Sequence, residues 1–188
     1  MRELVYLVAI SIDGFIADPD GDIGPLLVAG DHLEALKERY PETWPAQLRD
    51  QFGVTGPNRV FDTVVMGART YRVPGAPRSP YPHLHQVVVT GHQQGIPEEI
   101  TVWDADVPAR VRDLKQQPGK AIWLCGGGRL AASLLPQIDR LVLEVSPVVL
   151  GGGVPLFSGP AGSRTFAPVT TEVFASGVVF DDYRASGP

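Results

Sequence analysis

The sequence predicts an α/β fold in one domain, with strands and helices alternating early and an antiparallel edge at the end. Three observations predict it. "LVYLVAISI" (residues 4–12) is a nearly unbroken run rich in Val, Ile and Leu, the pattern of a strand covered on both faces. The apolar runs "DTVVM" (62–66), "QVVVT" (86–90) and "KAIWLC" (120–125) are short and separated by segments of helical spacing or loop. From residue 139 onward the strand patterns follow one another with no helix between them. A length of 188 residues suits one domain, 1–188, with a real core.

The elements follow in order. "DPDGDIG" (18–24) is a turn-rich loop. "DHLEALKERY" (31–40) starts a helix, with Asp31 as the expected N-cap and Glu34 three residues on. Pro41 and Pro45 interrupt it, and "PAQLRDQF" forms a second short helix. After the strand at 62–66 the segment "RVPGAPRSPYP" (72–82) is rich in proline and reads as an extended loop. "ITVWD" (100–104) is a weaker strand. "VPARVRDLKQ" (107–116) has helical spacing with Pro108 in the first turn, where its missing N–H is harmless. "RLAASLL" (129–135) is a helix, "DRLVLEVSPVVL" (139–150) a strand broken at Pro147, and "TEVFASGVVFDDY" (171–183) two strands around Ser176-Gly177.

Composition narrows the function classes. Sixteen Lys and Arg stand against 21 Asp and Glu, a net charge of −5 with no basic block, so neither a nucleic acid nor an anionic membrane surface is an expected partner. The apolar run from Leu4 to Ile10 is too short to span a bilayer, and no cleavable leader pattern precedes it. Cys125 is the single cysteine, which excludes an intrachain disulfide. A cytoplasmic protein is expected.

The chemistry concentrates where strands end. "WLCGGGRLAASLL" (123–135) places Gly126, Gly127 and Gly128 between a buried strand and a helix, where backbone N–H groups can hold a phosphate. Gly126, Gly128 and Ala131 fit a relaxed G-x-G-x-x-A dinucleotide pattern, with Glu144 following. Too little chain remains after it for a standard Rossmann fold, and a tight turn with close packing is the alternative reading. "VVMGARTY" (64–71) is again strand, glycine and helix start, with Arg69 and Thr70 suited to a phosphate or to a solvated, capped helix. "VVVTGH" (87–92) puts Thr90 and Gly91 at a third strand end. Ligands of open α/β sheets gather outside such ends.

"MGARTY", "VVVTGH" and "CGGGRLA", in this order and spacing, resemble the cofactor-binding segments of the dihydrofolate reductase superfamily. "VAISIDGFIAD" (8–18) resembles its first strand and the start of its mobile loop. The S-x-D-G-x-I-A form, together with "VVLGGGVPLF" (148–157), is most similar to the reductase domain of bacterial riboflavin-biosynthesis enzymes, the C-terminal domain of the bifunctional deaminase–reductase. The resemblance runs from Leu4 to Tyr183. It implies a mixed, mostly parallel sheet of eight strands flanked by helices, binding NADPH along the carboxyl ends of its strands and reducing a pterin or pyrimidine-type heterocycle. It also implies roles. Ala9, Ile16 and Ala17 border the nicotinamide end; Gly67, Arg69 and Thr70 meet the phosphates; Val89, Thr90 and Gly91 flank the adenosine. Cys125, Gly126, Gly127, Gly128, Arg129 and Leu130 close over the pyrophosphate, with Gly126–Gly127 as the family's cis peptide, and side chains at 126–128 would occupy the cofactor's place. Members usually carry Arg after the glycine of the second motif, to bind the 2′-phosphate; here Ala68 stands there, and Arg69 is the substitute.

No catalytic residue is assigned. The superfamily's helix carboxylate has Glu34, Glu38 and Glu42 as counterparts by region, each expected to be solvated because Glu is rarely buried without a partner. Asp13 lies on the substrate side by resemblance, or shapes the turn before Gly14. Cys125 at a strand end reads as an inert buried thiol. His83, His85 and His92 lack a further ligand at useful spacing for zinc. Trp44, Tyr71 and Tyr81 line a heterocycle pocket or simply pack. The second triglycine, 151–153, is followed by "VPLF" and reads as a structural bend. Two functions stay open: the reductase, and a nucleotide-binding protein of the same fold without reductase activity. The riboflavin-type reductases pair as homodimers, and the terminal strands would otherwise leave an exposed edge.

Overall fold

The computed structural model describes residues 1–72, 76–160 and 162–187. Its strands are β1 (Leu4–Ser11), β2 (Phe15–Ala17), β3 (Phe61–Gly67), β4 (His85–Val89), β5 (Thr101–Trp103), β6 (Ala121–Gly126), β7 (Arg140–Ser146), β8 (Val154–Pro155), β9 (Phe166–Val173) and β10 (Val179–Ala185). Its helices are α1 (His32–Arg39), α2 (Ala46–Arg49), α3 (Ala68–Tyr71), α4 (Val107–Gln116) and α5 (Gly128–Leu134). Eight strands form one sheet in the order β5-β4-β3-β6-β1-β7-β10-β9. The first six in that order run parallel, and β10 and β9 close the sheet as an antiparallel edge. This is the mixed, mostly parallel sheet that the resemblance implies.

The unbroken apolar run of β1 follows from its central place. Leu4 and Tyr6 point into the core under α4 and α5, with Val65, Ile122, Leu124 and Leu134. Val5 and Leu7 point into a second core on the other face, with Phe61, Val64, Met66 and Trp123. Both faces are covered, so alternation disappears. The outer strand β9 shows the opposite case, with Ala167 to Thr171 all exposed.

Two local expectations are corrected, and one small sheet is new. Asp31 precedes α1 as read, yet makes no capping bond; its carboxylate accepts the N–H groups of Ala175 (2.9 Å) and Ser176 (3.0 Å) in the β9–β10 turn. Two converging donors from another element outcompete the helix's own. β7 ends at Ser146 and the chain bends at Pro147, which cannot donate to a ladder, so the expected break is there, but 148–150 form no strand beyond it. The small sheet of β2 and β8 was not expected at all. Within the proline-rich loop 72–82, residues 73–75 lie outside the described residues.

Candidate active site

The parallel strands end along one edge, and that edge gathers the motifs. Gly67 closes β3 in register with Val89 of β4, and Met66 pairs with Gly126 of β6. Thr90 follows β4, with its N–H bonded to the Trp103 carbonyl at 2.9 Å. The β1–β6 ladder stops at Tyr6 and Leu124, whereas the β1–β7 ladder continues to Ser11 and Ser146. A notch therefore opens between β1 and β6 beside Ala9, bordered by the glycines of 126–128. Such a split between neighbouring strands, at their carboxyl ends, is where open α/β sheets take ligands.

Loops wall the notch. β2 carries Ile16 and Ala17, and it pairs with β8. The Leu156 N–H bonds to the Gly14 carbonyl at 3.0 Å, the Ser158 N–H to the Gly128 carbonyl at 3.0 Å, and the Tyr6 hydroxyl to the Leu156 carbonyl at 3.1 Å. Segment 153–158 thus ties the loop after β1 to the triglycine. Sequence reading gave "VPLF" no such role, and β8 is too short to show a period.

The three glycines of 126–128 have three separate reasons. Gly126 has φ +117°, a conformation L side chains rarely adopt. A Cβ on Gly128 would overlap the Pro155 carbonyl oxygen. Gly127 has φ −89° and ψ −171°, extended backbone open to any residue, and a Cβ there would meet only the Thr70 hydroxyl, at 3.6 Å. The expectation that all three keep space for a cofactor is therefore corrected. Conformation explains the first, packing explains the last, and only Gly127 faces space the chain does not use. The Gly126–Gly127 peptide is cis, as the resemblance implies.

Gly127 and Thr70 face each other across the gap between α3 and the turn into α5, and Ile16 borders Gly126, its Cδ1 4.0 Å from where a Cβ would stand. Arg69 on α3 and Arg129 on α5 are exposed, and Leu130 is buried. Val89 is half-buried, Thr90 buried and Gly91 exposed at the neighbouring strand end. Glu144 lies on β7, beyond β1 from Gly126, so it cannot serve the relaxed dinucleotide pattern that its spacing suggested.

Other candidates are structural. Asp13 accepts the Ser11 hydroxyl (2.7 Å) and the N–H groups of Leu150 (3.1 Å) and Gly151 (2.7 Å); these bonds, the hydroxyl first, hold its carboxyl below the usual range. Glu42 is fully buried rather than solvated, and accepts the N–H groups of Arg59, Val60 and Phe61, which replaces its lost water. Glu34 is exposed and paired with Lys37 at 2.6 Å. Burial pushes the Cys125 thiol up to about 12, so it is inert at neutral pH. Trp44 packs on Phe52, Tyr81 stands edge-on to Trp123, and the Tyr71 hydroxyl donates to the Arg78 carbonyl: packing roles all. His83 donates from Nε2 to the Glu42 carbonyl at 2.8 Å.

One pair escaped the sequence reading. His32, at the start of α1, is completely buried, and its Nε2 lies 3.4 Å from Glu144 Oε1. Its Nδ1 sits 3.0 Å from the Ser176 hydroxyl. Burial pushes Glu144 up to about 7, and pushes the imidazole of His32 down. Nothing local marks them as a pair, because α1, β7 and the β9–β10 turn meet only in the folded sheet.

Known proteins share this architecture. Dihydrofolate reductase from Enterococcus faecalis, in complex with NADP(H), matches with a TM-score of 0.68 at 17% identity, over 98% of this chain and 97% of that one. The diaminohydroxyphosphoribosylaminopyrimidine deaminase/5-amino-6-(5-phosphoribosylamino)uracil reductase of Thermotoga maritima matches with a TM-score of 0.64 at 16% identity, over 98% of this chain and 57% of that one. At such identities both likenesses carry the fold alone. In sequence, the Bacillus subtilis (strain 168) protein YwjB, itself uncharacterised, is 31% identical over 98% of this chain and 99% of its own length. The profile of the RibD C-terminal domain covers residues 2–180. With nearly its whole length matched, and its strand-end motifs on one edge, this chain belongs to the RibD C-terminal domain family.

Proposed function

We propose that this protein is an NADPH-dependent reductase of a pterin or pyrimidine-type heterocycle. The observation that carries the reading is Gly127, an ordinary backbone position whose side-chain space the protein leaves empty beside Thr70. The pyrophosphate would lie against 126–128, with Arg69, Thr70 and Arg129 around the phosphates, Val89, Thr90 and Gly91 beside the adenosine, and Ala9, Ile16 and Ala17 at the nicotinamide end. A bound NADPH supplies the hydride; the protein positions it and excludes water. The shared fold of the Thermotoga maritima enzyme, a uracil-compound reductase, supports a pyrimidine-type substrate.

NADPH oxidation, followed by absorbance with 7,8-dihydrofolate and with 5-amino-6-(5-phosphoribosylamino)uracil, tests the activity. Turnover of either supports the reductase. Cofactor binding without turnover of any pterin or pyrimidine favours the alternative, a binding protein of the same fold, to which the exposed Glu34 and Glu38 and the missing arginine at Ala68 lend support.

A homodimer belongs to the same proposal. β9 is an eight-residue edge strand with Val169 and Val173 exposed, a template for pairing unless something covers it. Light scattering is expected to give about twice the 20.2 kDa of one chain; a value near one chain's mass at micromolar concentration sinks the idea. Among the described residues no helix is long and apolar enough to cross a membrane. A single cysteine without a disulfide partner suits a reducing compartment, and the cytoplasm is the proposed location.

A further inference from the structure

Reducing a C=N bond takes a hydride at carbon and a proton at nitrogen, and none of the residues assigned above carries that proton. The face of the sheet under α1 does hold a candidate. Glu144 stands directly across from Ala9 in the β1–β7 ladder, and from Phe180 in the β7–β10 ladder. Its side chain, 15% exposed, lines a narrow apolar cleft with Leu7, Leu36, Tyr40 and Phe180. Ala9 is the strand residue placed beside the nicotinamide end. A ring that displaced Leu36 and Tyr40 would meet Glu144 on the same face.

Glu144 differs from the other acids packed on this face. From β7 and β10, Arg140 pairs with Asp182 at 2.5 Å. From α1 and β9, Arg39 pairs with Glu172 at 2.6 Å. Asp31, beside His32, is held by the Ala175 and Ser176 N–H groups. Tyr40 contributes a phenol that burial pushes up, so it stays neutral. Every other acid packed here has a cation or two N–H donors. Among the described residues Glu144 has only His32, whose Nε2 has no hydrogen-bond partner. Burying a carboxyl without such partners costs stability, and an apolar residue would fill the place better.

We propose that Glu144 meets the substrate heterocycle and donates the proton its ring nitrogen takes up, with His32 as the positioning residue behind it. The inference rests on the reductase reading. In the step, the Glu144 O–H bond breaks and an N–H bond forms. The C=N π bond becomes single as its carbon accepts the hydride, the substrate is reduced, and the nicotinamide dinucleotide is oxidised. The carboxylate left behind regains a proton from solvent through its exposed edge. Burial holds Glu144 near 7 and keeps His32 neutral, so one proton is available around neutral pH. Ser176, on the far nitrogen of His32, fixes the ring.

The test uses 2,4-diaminopyrimidine, a basic ring whose ultraviolet spectrum reports protonation, titrated into the wild type, Glu144→Gln and His32→Gln, with and without NADPH. The wild type is expected to bind the probe protonated, more weakly as pH rises through about 7. Glu144→Gln should bind it at least about tenfold more weakly, with NADPH affinity unchanged. His32→Gln should keep the affinity within a few-fold and move the pH midpoint, which a merely structural histidine would not do. Equal probe affinity in Glu144→Gln overturns the proposal, as does a wild type that fails to bind the probe. Should Glu144→Gln not fold, the wild-type profile decides, and a flat one between about pH 5 and 9 rejects Glu144. A wild type that binds the probe but not NADPH sinks the reductase reading and leaves the Glu144 site standing.

Discussion

Residues 126–128 and 151–153 are both Gly-Gly-Gly, and in both the third glycine lies against a neighbouring backbone. A Cβ on Gly128 would overlap the Pro155 carbonyl, and one on Gly153 the Ala17 carbonyl. Each segment also holds a glycine at positive φ, +117° at Gly126 and +71° at Gly151. The middle glycines differ. Gly127 faces Thr70 across a gap between two strand ends, while Gly152 has nothing within 4 Å. The first segment lies beside Thr70 at the strand ends, and the second is a turn pinned by Asp13. Identical letters thus mark a wall in one place and a hinge pin in the other.

The strongest challenge to this comparison is Gly153→Ala. Its φ of +142° and the Ala17 carbonyl both oppose a side chain. Strain and overlap together should lower stability by about 3 kcal/mol in urea unfolding. A loss under about 1 kcal/mol would mean the pinned turn relaxes freely.

Next in size is the matched pair Gly127→Val and Gly152→Val. The first should weaken NADPH binding at least tenfold, ~1.4 kcal/mol, in a protein that still unfolds cooperatively. The second should leave calorimetric NADPH affinity unchanged. Equal affinities in both variants would erase the distinction between the segments and remove the main support for the cofactor site.

Arg69→Ala sharpens the first segment further. Its guanidinium is exposed, so water and salt screen it. A loss of about 1 kcal/mol is expected for NADPH and none for NADH. Equal losses for both cofactors would place Arg69 away from the 2′-phosphate.

The smallest effect concerns the second segment. The Ser11 hydroxyl, followed by the Leu150 and Gly151 N–H groups, lowers the carboxyl of Asp13, so its folded pKa lies below the unfolded one. Its contribution is therefore full above about pH 4 and lost as pH falls through the folded value. Asp13→Asn should unfold with a shallower loss on acidification than the wild type. Identical acid profiles would show that Asp13 does not hold the turn.

Much of the fold was legible because its signals are local. The two-faced run of β1 reads as a central strand, and "VPARVRDLKQ" gives α4 its full span. The strand-end glycines of the site were legible for the same reason, each following an apolar run. What stayed hidden depends on distant partners. Glu42 reads as solvated until Arg59, Val60 and Phe61 turn their N–H groups toward it. β2 and β8 are too short to show a period and exist because each supplies the other's partner. His32 and Glu144 become a pair only when β7 settles beside β1 and brings α1 over it.

The place of β1 at the middle of the sheet has a consequence for synthesis. It precedes every other strand of its sheet in the chain, yet its parallel partners begin at Ile122 and Arg140. At about 5–20 residues per second a ribosome needs roughly 6–25 s to deliver β6 after β1. Throughout that interval "LVYLVAIS", uncharged and β-prone, has nothing to pair with, which is the profile of a segment that sticks to other chains. Nascent chains stalled before β6 should crosslink to holding chaperones through residues 4–11, and chains stalled after β7 should not; equal crosslinking would mean that β1 finds another shelter. The centre of this sheet is its oldest part in order of translation and among the last to be secured, so the speed with which residues 121–146 emerge sets how long the new chain is at risk.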